Sequence, residues 1–171
     1  MGTSFPIIGS TFNIRPLELH DMEAALEVYR QCEDFLALGP NPHASLAMVE
    51  ADLQLSRESG GIFCGIYDMS GSMVGVVDFI PENFEGNPLI AFIELLMIAA
   101  RSRRKGLGSK IVSLIEAKVA EVNVEGIQAG VQVNNPAALS FWKSLGYQII
   151  SGPTLQEDGT TVFQLNKLLV K

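Results

Sequence analysis

The amino-acid sequence predicts a mixed α/β fold with six to seven strands and about four helices. Two short apolar runs in residues 61–80 flank the turn cluster DMSGS, a pattern typical of an antiparallel hairpin. Residues 89–99 are almost continuously apolar, as in a central strand that is covered on both faces. A helical pattern and a further strand follow, which indicates a parallel strand–helix–strand crossover. Antiparallel strands therefore come first in the chain, and a parallel unit comes later.

The first half of the chain contains one strand and two helices before the hairpin. Residues 10–17 are typical of a short strand, which ends because a proline cannot continue the ladder. Residues 18–32 then follow a helical period. The apolar stripe of this helix consists of Leu19, Met22, Leu26 and Tyr29. A second helical pattern covers residues 44–59 and ends where two glycines follow it.

The second half of the chain alternates helices and strands after the central run. The first helix has an apolar face made of Ile111, Val112, Leu114, Ile115, Val119 and Val122. Residues 127–133 form the next strand, and residues 134–146 a short helix with Asn135 as its N-cap. Residues 147–152 and 161–169 are expected to pair antiparallel across the intervening turn.

Composition and charge narrow the classes of function. The chain has 171 residues, which fits one domain spanning residues 1–171, and its hydrophobic fraction of 47% is ample for a core. Its net charge of −7 repels a phosphate backbone, so we expect no nucleic-acid partner. The longest apolar run is interrupted by Glu94 and is too short to span a membrane, and the N-terminal residues lack a secretory signal. We therefore expect a cytoplasmic protein that does not bind membranes.

Cysteine and histidine are too sparse for a metal centre or a disulfide framework. Cys32 and Cys64 are far apart and form no Cys-x-x-Cys motif, and His20 and His43 are the only imidazoles. We expect two reduced, buried thiols and no metal.

The stretch RSRRKGLGSKIVSLIEAKV, residues 101–119, predicts a phosphate site. Four basic residues and two glycines precede an amphipathic helix, whose N-terminus exposes unpaired N–H groups and the positive end of the macrodipole. Gly106 and Gly108 let the backbone approach a phosphate because they have no Cβ. The surrounding cations are Arg101, Arg103, Arg104 and Lys105. This combination is typical of a diphosphate cradle.

Two common phosphate motifs fail on spacing. A Walker A loop requires a glycine where Arg103 stands and a lysine directly after Gly108. The dinucleotide fingerprint requires a glycine at Ile111 and an early position in a parallel sheet.

The loop resembles the Arg/Gln-x-x-Gly-x-Gly/Ala signature of the GNAT superfamily of acetyl-CoA-dependent N-acetyltransferases, with Arg103, Gly106 and Gly108 in the signature positions. The segment NNPAALSFWKSLGY is similar to a second block of that family. The matching residues there are Asn135, Ala138, Phe141, Trp142, Gly146 and Tyr147. The resemblance covers residues 89–150 well, whereas the first half of the chain agrees only in its order of elements.

The resemblance implies a three-layer α/β/α fold whose fourth and fifth strands splay apart to admit acetyl-CoA. The pantetheine arm would lie in the gap like an added strand, and the diphosphate would rest on the glycine loop. The residues implied to bind this cosubstrate are Met97, Ile98, Ala99, Arg103, Arg104, Lys105, Gly106, Leu107, Gly108, Ser109, Asn135 and Trp142. Asn135 can serve as a helix cap at the same time.

The implied reaction is direct attack by an amine on the thioester. Glu94, the only carboxylate in the central strand, is the candidate general base because burial would raise its pKa. It could instead point to an open end of the sheet or pair with a basic side chain. Asp78 is a weaker rival and is expected to be solvated. The backbone N–H of Met97, or a neighbouring one such as that of Ile98, would stabilise the oxyanion.

Trp142 departs from the family pattern, because many members have a tyrosine there that serves as the acid. An indole N–H donates a hydrogen bond but cannot deliver a proton, so the usual acid is absent. The thiolate can leave without one, since the pKa of a free thiol is about 8.5. Tyr147 is expected to lie in the core.

Three functional hypotheses stay open at this point. The first is an N-acetyltransferase acting on a primary amine, either a small molecule or a protein or peptide amine. The second is a non-catalytic acyl-CoA sensor, and the third is a site for another phosphate ligand. Residues 37–45 and 81–89 would shape the acceptor pocket. The negative charges of Glu82 and Glu85 there slightly favour a cationic amine as acceptor. The family often dimerises, and the apolar composition allows a homodimer.

Overall fold

A computed structural model describes residues 5–169, and within that range one mixed sheet organises the chain. Its eight strands are β1 (Ile7–Ile8), β2 (Phe12–Pro16), β3 (Ile62–Asp68), β4 (Met73–Ile80), β5 (Ile90–Ile98), β6 (Gly126–Gln132), β7 (Gln148–Leu155) and β8 (Thr161–Leu168). They lie in the order β1-β2-β3-β4-β5-β6-β8-β7. Among these eight strands of the described range, β5 and β6 pair in parallel and the other neighbours pair antiparallel.

Helices cover both faces of the sheet. The α-helices in residues 5–169 are α1 (Met22–Arg30), α2 (Glu33–Leu36), α3 (Leu46–Glu58), α4 (Leu107–Ala120) and α5 (Pro136–Ser144). Apolar residues of α1 and α3 pack on one face of the sheet in one buried cluster, and those of α4 and α5 pack on the other face in a second cluster. The predicted mixed α/β class and its three layers are confirmed.

Two short elements were not predicted from the sequence. β1 has two residues and α2 has four, so neither is long enough to show a hydrophobic period. The strand count is accordingly eight within residues 5–169, one more than the upper end of the prediction. The predicted domain also includes residues 1–4 and 170–171, which lie outside the described residues. None of the helices in residues 5–169 is both long and apolar enough to cross a membrane.

The sheet opens between β5 and β6. These strands pair from Ile90 opposite Gly126 to Ile93 opposite Ala129 and then separate. Beyond that point β5 pairs only with β4, and β6 pairs only with β8. The gap between residues 94–98 of β5 and 130–132 of β6 is called the slot below. Its two walls have unpaired main-chain edges that can pair with an extended ligand.

A partly buried ion pair holds α4 against the sheet, and α4 begins at the edge of the slot. The Glu116 carboxylate accepts hydrogen bonds from the Lys167 ammonium at 2.8 and 3.0 Å and from the Tyr147 hydroxyl at 3.0 Å. Tyr147 is 1% exposed, as expected for a core residue, and contacts Trp142 edge-on. Glu116 therefore links α4 to β8 and to the residue that precedes β7.

Replacing Glu116 with alanine is expected to lower the free energy of unfolding by about 2–4 kcal/mol, because a buried hydroxyl and an ammonium lose their acceptor. Denaturant unfolding measures this change. The matched control is Glu121→Ala on the same helix. Its exposed pair with Lys118 should contribute less than about 1 kcal/mol. Equal losses in the two variants would contradict the structural role of Glu116.

Candidate functional site

A cavity of about 1130 Å³ fills the slot and extends beyond both of its ends. One end lies at the N-terminus of α4, and the other lies beside Glu94 and the loop that precedes β5. The predicted site residues that line this cavity are Glu94, Met97, Ile98, Arg103, Arg104, Gly106, Leu107, Gly108, Ser109, Asn135 and Trp142. Ala99 and Lys105 do not line it.

Unpaired main-chain donors converge at the α4 end of the cavity. Lys110 makes the first intrahelical bond, to the carbonyl of Gly106, so the three preceding N–H groups have no partner in the helix. Within residues 5–169 the N–H groups of Leu107, Gly108 and Ser109 donate to no protein acceptor. They carry the positive end of the helix dipole, which is the geometry of an anion site.

The loop before α4 adopts a conformation that glycine favours. Gly106 has φ +73° in the N-cap position, and a Cβ there would have no atom within 4 Å, so backbone conformation accounts for this glycine. Arg104 also has φ +60°, a value that costs a non-glycine residue energy. Gly108 serves a different purpose, because a Cβ there would lie 3.2 Å from the Phe141 ring. Its missing side chain brings α5 close to α4.

The antiparallel register decides which main-chain groups of β5 face the slot. The Ala99 N–H donates to the Val74 carbonyl at 2.9 Å, so Ile98 is opposite Gly75 in a pair without mutual hydrogen bonds. Met97 is the next residue and exchanges hydrogen bonds with β4. The N–H and C=O groups of Leu96 and Ile98 therefore point into the slot.

This register corrects the placement of the oxyanion donor in the sequence analysis. The N–H of Met97 faces β4 rather than the cavity, and the N–H of Ala99 is engaged by Val74. The N–H of Ile98, which the sequence analysis named as the alternative donor, faces the slot.

The carboxylate of Glu94 points into the cavity because β5 has a β-bulge at that residue. Asp78 of β4 is opposite Leu95 and Phe79 is opposite Ile93, so Glu94 has no opposite residue and forms a β-bulge. Bulges re-aim side chains and are frequent beside active sites. The side chain is exposed to solvent in the cavity, and neighbouring protein atoms remove only part of its hydration. Burial raises the pKa of Glu94, and the negative charge of Asp52 raises this pKa further.

Two further carboxylates lie near Glu94 and are held by hydrogen bonds. Asp52 accepts one from the Tyr29 hydroxyl at 2.6 Å, and Asp78 accepts one from the Ser56 hydroxyl at 2.7 Å. Asp78 is 3% exposed, so the expectation that it is solvated was wrong. Burial is the main factor that raises the pKa of Asp78 to about 6, with the Ser56 bond opposing it and the charges of Glu94 and Asp52 adding to it.

The aromatic block of α5 forms one wall of the cavity. Trp142 is 7% exposed and contacts Phe141 and Tyr147 edge-on, with ring centroids 5.3 and 4.8 Å apart. Its indole N–H makes no hydrogen bond within residues 5–169. Asn135 caps the helix as predicted, because its side-chain oxygen accepts from the Ala138 N–H at 3.0 Å.

Both cysteines are free and buried, as predicted. Among residues 5–169 no group of three or more histidine, cysteine, aspartate or glutamate side chains is arranged to hold a metal ion.

The sequence match agrees with the geometry of the slot. Residues 20–147 match the family described as Acetyltransferase (GNAT) family, which is well over half of the chain. The protein belongs to the GNAT acetyltransferase family. A search of curated proteins with this sequence finds no match.

Solved structures with the same fold include other acetyltransferases. An acetyltransferase from Thermus thermophilus superposes with a TM-score of 0.78 at 20% identity, covering 96% of this chain and all of that one. The Salmonella typhimurium protein yncA, with its cofactor acetyl-CoA, gives a TM-score of 0.66 at 18% identity, covering 95% and 96%. Spermidine N-acetyltransferase from Vibrio cholerae, in complex with CoA and spermine, gives 0.68 at 16% identity, covering 94% and 97%. At these identities the likeness shows the shared GNAT fold.

The buried Asp78 carboxyl should make the stability of this GNAT domain depend on pH. Its pKa is about 6 in the folded protein against an ordinary value of 3.8, so its contribution to stability is present below about pH 4 and is lost as the pH rises through 6. We expect Asp78→Asn to unfold like the wild type at pH 4. At pH 7.5 the variant should be more stable by up to about 3 kcal/mol. Denaturant titrations at both values test this, and a difference that does not change with pH would contradict it.

Proposed function

We propose that this protein transfers the acetyl group of acetyl-CoA to a primary amine. The observation that carries the proposal is the slot itself, which leads from Glu94 to the unpaired N–H groups of Leu107, Gly108 and Ser109. One extended ligand with an acyl group at one end and a diphosphate at the other fits this arrangement of donors.

The residues present suit acetyl-CoA. Its diphosphate would accept hydrogen bonds from the three N–H groups at the start of α4, and the exposed side chains of Arg104 and Lys105 would add positive charge. Its pantetheine arm would pair with the N–H and C=O groups of Leu96, because these face the slot, whereas the Ile98 carbonyl already accepts hydrogen bonds from Arg103 and Cys32. The thioester would then lie between Glu94 and the aromatic wall formed by α5.

Negative charge at the other end of the cavity supports an amine acceptor. The acidic residues that line this end are Glu85, in the loop before β5, and Glu94. An amine approaches as an ammonium ion at neutral pH, and these carboxylates would attract it and lower its desolvation cost. The stacked rings of Phe84 and Phe92, with centroids 4.1 Å apart, form an apolar wall at the same end.

Glu94 is the general base in this proposal. It removes a proton from the ammonium, directly or through water, and the neutral amine attacks the thioester carbonyl. The raised pKa of Glu94 brings its basicity closer to that of the amine. The N–H of Ile98 faces the slot and stabilises the oxyanion that forms. No covalent enzyme intermediate is required.

The leaving thiolate would depart without a side-chain acid. The indole N–H of Trp142 can donate a hydrogen bond to the sulfur, and the proton that the attacking nitrogen loses on forming the amide reaches the thiolate through water. Trp142 is also the observation that favours the alternative function, a non-catalytic acyl-CoA sensor. A sensor would bind acetyl-CoA in the same slot and would transfer no acetyl group to any amine.

Glu94→Gln tests the proposed role of the base. We expect kcat/KM for acetyl transfer to fall by about 10²–10⁴-fold, because general-base catalysis is lost, while the affinity for coenzyme A stays within about twofold of the wild type. Thiol release with a panel of primary amines measures the reaction, and calorimetry measures coenzyme A binding.

Glu50→Gln is the control for loss of one charge, since Glu50 is exposed on α3. Wild-type protein that binds coenzyme A but releases no thiol with any amine would favour the sensor. Wild-type protein that binds ATP or NAD tightly and does not bind coenzyme A would exclude both functions.

The charge of Asp52 should be visible in the pH profile of the reaction. Asp52 raises the pKa of Glu94, so Asp52→Asn is expected to lower that pKa and to move the acid limb of kcat/KM towards lower pH. The asparagine can still accept the Tyr29 hydrogen bond, which preserves packing. The Glu50→Gln profile should coincide with that of the wild type. An acid limb that stays in place in Asp52→Asn would show that the charge of Asp52 does not act on the base.

A cytoplasmic location and a homodimer stay predictions alongside this function.

A further inference from the structure

The guanidinium of Arg103, which occupies the signature position of the glycine loop, is almost fully engaged within the protein. Its Nε donates to the Ile98 carbonyl at 2.9 Å. Its Nη1 and Nη2 form a bidentate pair with Asp34 at 2.6 and 3.0 Å, and Nη2 also donates to the Gln31 carbonyl at 3.5 Å. Four of the five guanidinium N–H groups are therefore used, and one remains.

These contacts join the end of β5 to the segment that follows α1. Gln31 is the last residue associated with α1, and Asp34 lies in α2. The buried Cys32 thiol donates to the same Ile98 carbonyl at 3.3 Å. Two side chains thus converge on one main-chain oxygen that faces the slot.

The same segment is also fixed on the opposite wall. The side-chain amide of Asn134, which follows β6, donates to the Leu38 carbonyl at 3.1 Å. Residues 31–38, here called the bridging segment, therefore reach from the end of β5 to the end of β6. The bridging residues that line the cavity are Cys32, Asp34, Phe35 and Leu38.

We infer that Arg103 is a positioning residue that fixes the bridging segment across the slot through Asp34 and Ile98, and that it is not a ligand of the diphosphate. This inference rests on the proposed function, because it assumes that acetyl-CoA occupies the slot. It differs from the expectation raised by the sequence, in which all the basic residues of the loop surround the phosphates.

Charge and geometry both support this assignment. Asp34 neutralises Arg103, and the hydrogen bonds from Arg103 lower the pKa of Asp34, so the pair stays ionised throughout the neutral range. The two side chains are 34% and 64% exposed, so charge attraction alone would contribute little. The planar fork, which holds a carboxylate and a carbonyl at once, provides the fixed geometry. Arg104 and Lys105 remain to attract the phosphates.

Hydrogen exchange on the ligand-free protein tests the fixing step by itself. Arg103→Gln and Asp34→Asn should each speed amide exchange in residues 31–38 by roughly tenfold, as expected when contacting residues are uncoupled. Arg103→Lys should do the same, because an ammonium cannot form the fork. Glu121→Gln, which breaks an exposed pair on α4, is the control and should leave exchange in the segment unchanged. Unchanged exchange in Arg103→Gln and Asp34→Asn would overturn the inference.

Calorimetric titration with coenzyme A separates positioning from phosphate binding. Positioning predicts that Arg103→Gln, Arg103→Lys and Asp34→Asn each weaken binding by roughly tenfold, and that the double variant Arg103→Gln/Asp34→Asn is no weaker than the weaker single variant. Arg104→Gln should weaken binding without changing exchange in residues 31–38. If Arg103 instead bound the diphosphate directly, the affinities of these variants for coenzyme A would differ. Asp34→Asn would then bind as tightly as the wild type or tighter, and Arg103→Lys would bind like the wild type; either result overturns the inference.

The two readouts keep this inference distinct from the proposed function. If the wild type did not bind coenzyme A, the proposed function would fail, and with it the role of the bridging segment at that ligand. The exchange experiment would still decide whether Arg103 fixes the segment.

Discussion

The arrangement of this protein depends on how far β5 and β6 pair. Their parallel ladder contains four residue pairs and stops at Ile93 and Ala129, after which each strand keeps only its outer neighbour. Unpaired main-chain groups inside a protein are costly unless water or a ligand satisfies them. The open part of the sheet therefore needs water or a ligand to satisfy its main-chain groups. A ligand that can replace the missing strand contacts would bind in the slot.

Both ends of the slot derive from local features of the two strands. Where the β5–β6 pairing stops, the bulge at Glu94 directs a carboxylate into the cavity near Asp52 and Asp78. At the far end, the chain leaves β5 through a short turn and enters α4 with three N–H groups unpaired. One strand thus connects a region of negative charge to a region of positive potential. This polarity matches a reaction between an ammonium ion and a thioester that carries phosphates.

The sequence predicted the parts of this site that are local in the chain. The strand at 89–99, the glycine loop, the start of α4 and the Asn135 cap all follow from patterns within about ten residues. Features that depend on distant partners could not be predicted. The hydroxyl that binds the buried Asp78 belongs to Ser56 on α3, 22 residues earlier in the chain. The carboxylate that pairs with Arg103 belongs to Asp34, 69 residues earlier. The sequence also could not predict which main-chain groups of β5 face the slot, since this depends on the register with β4.

Amide chemical shifts of ¹⁵N-labelled protein during titration with coenzyme A would test whether the slot holds this ligand. The proposed mode of binding predicts the largest shifts at the N–H groups of Leu107, Gly108 and Ser109, together with those of Leu96 and Ile98 on the open edge of β5. Met97 and Ala99, whose N–H groups bond to β4, should shift less. Saturating coenzyme A that left the α4 amides and the edge of β5 unchanged would contradict the assignment of the slot.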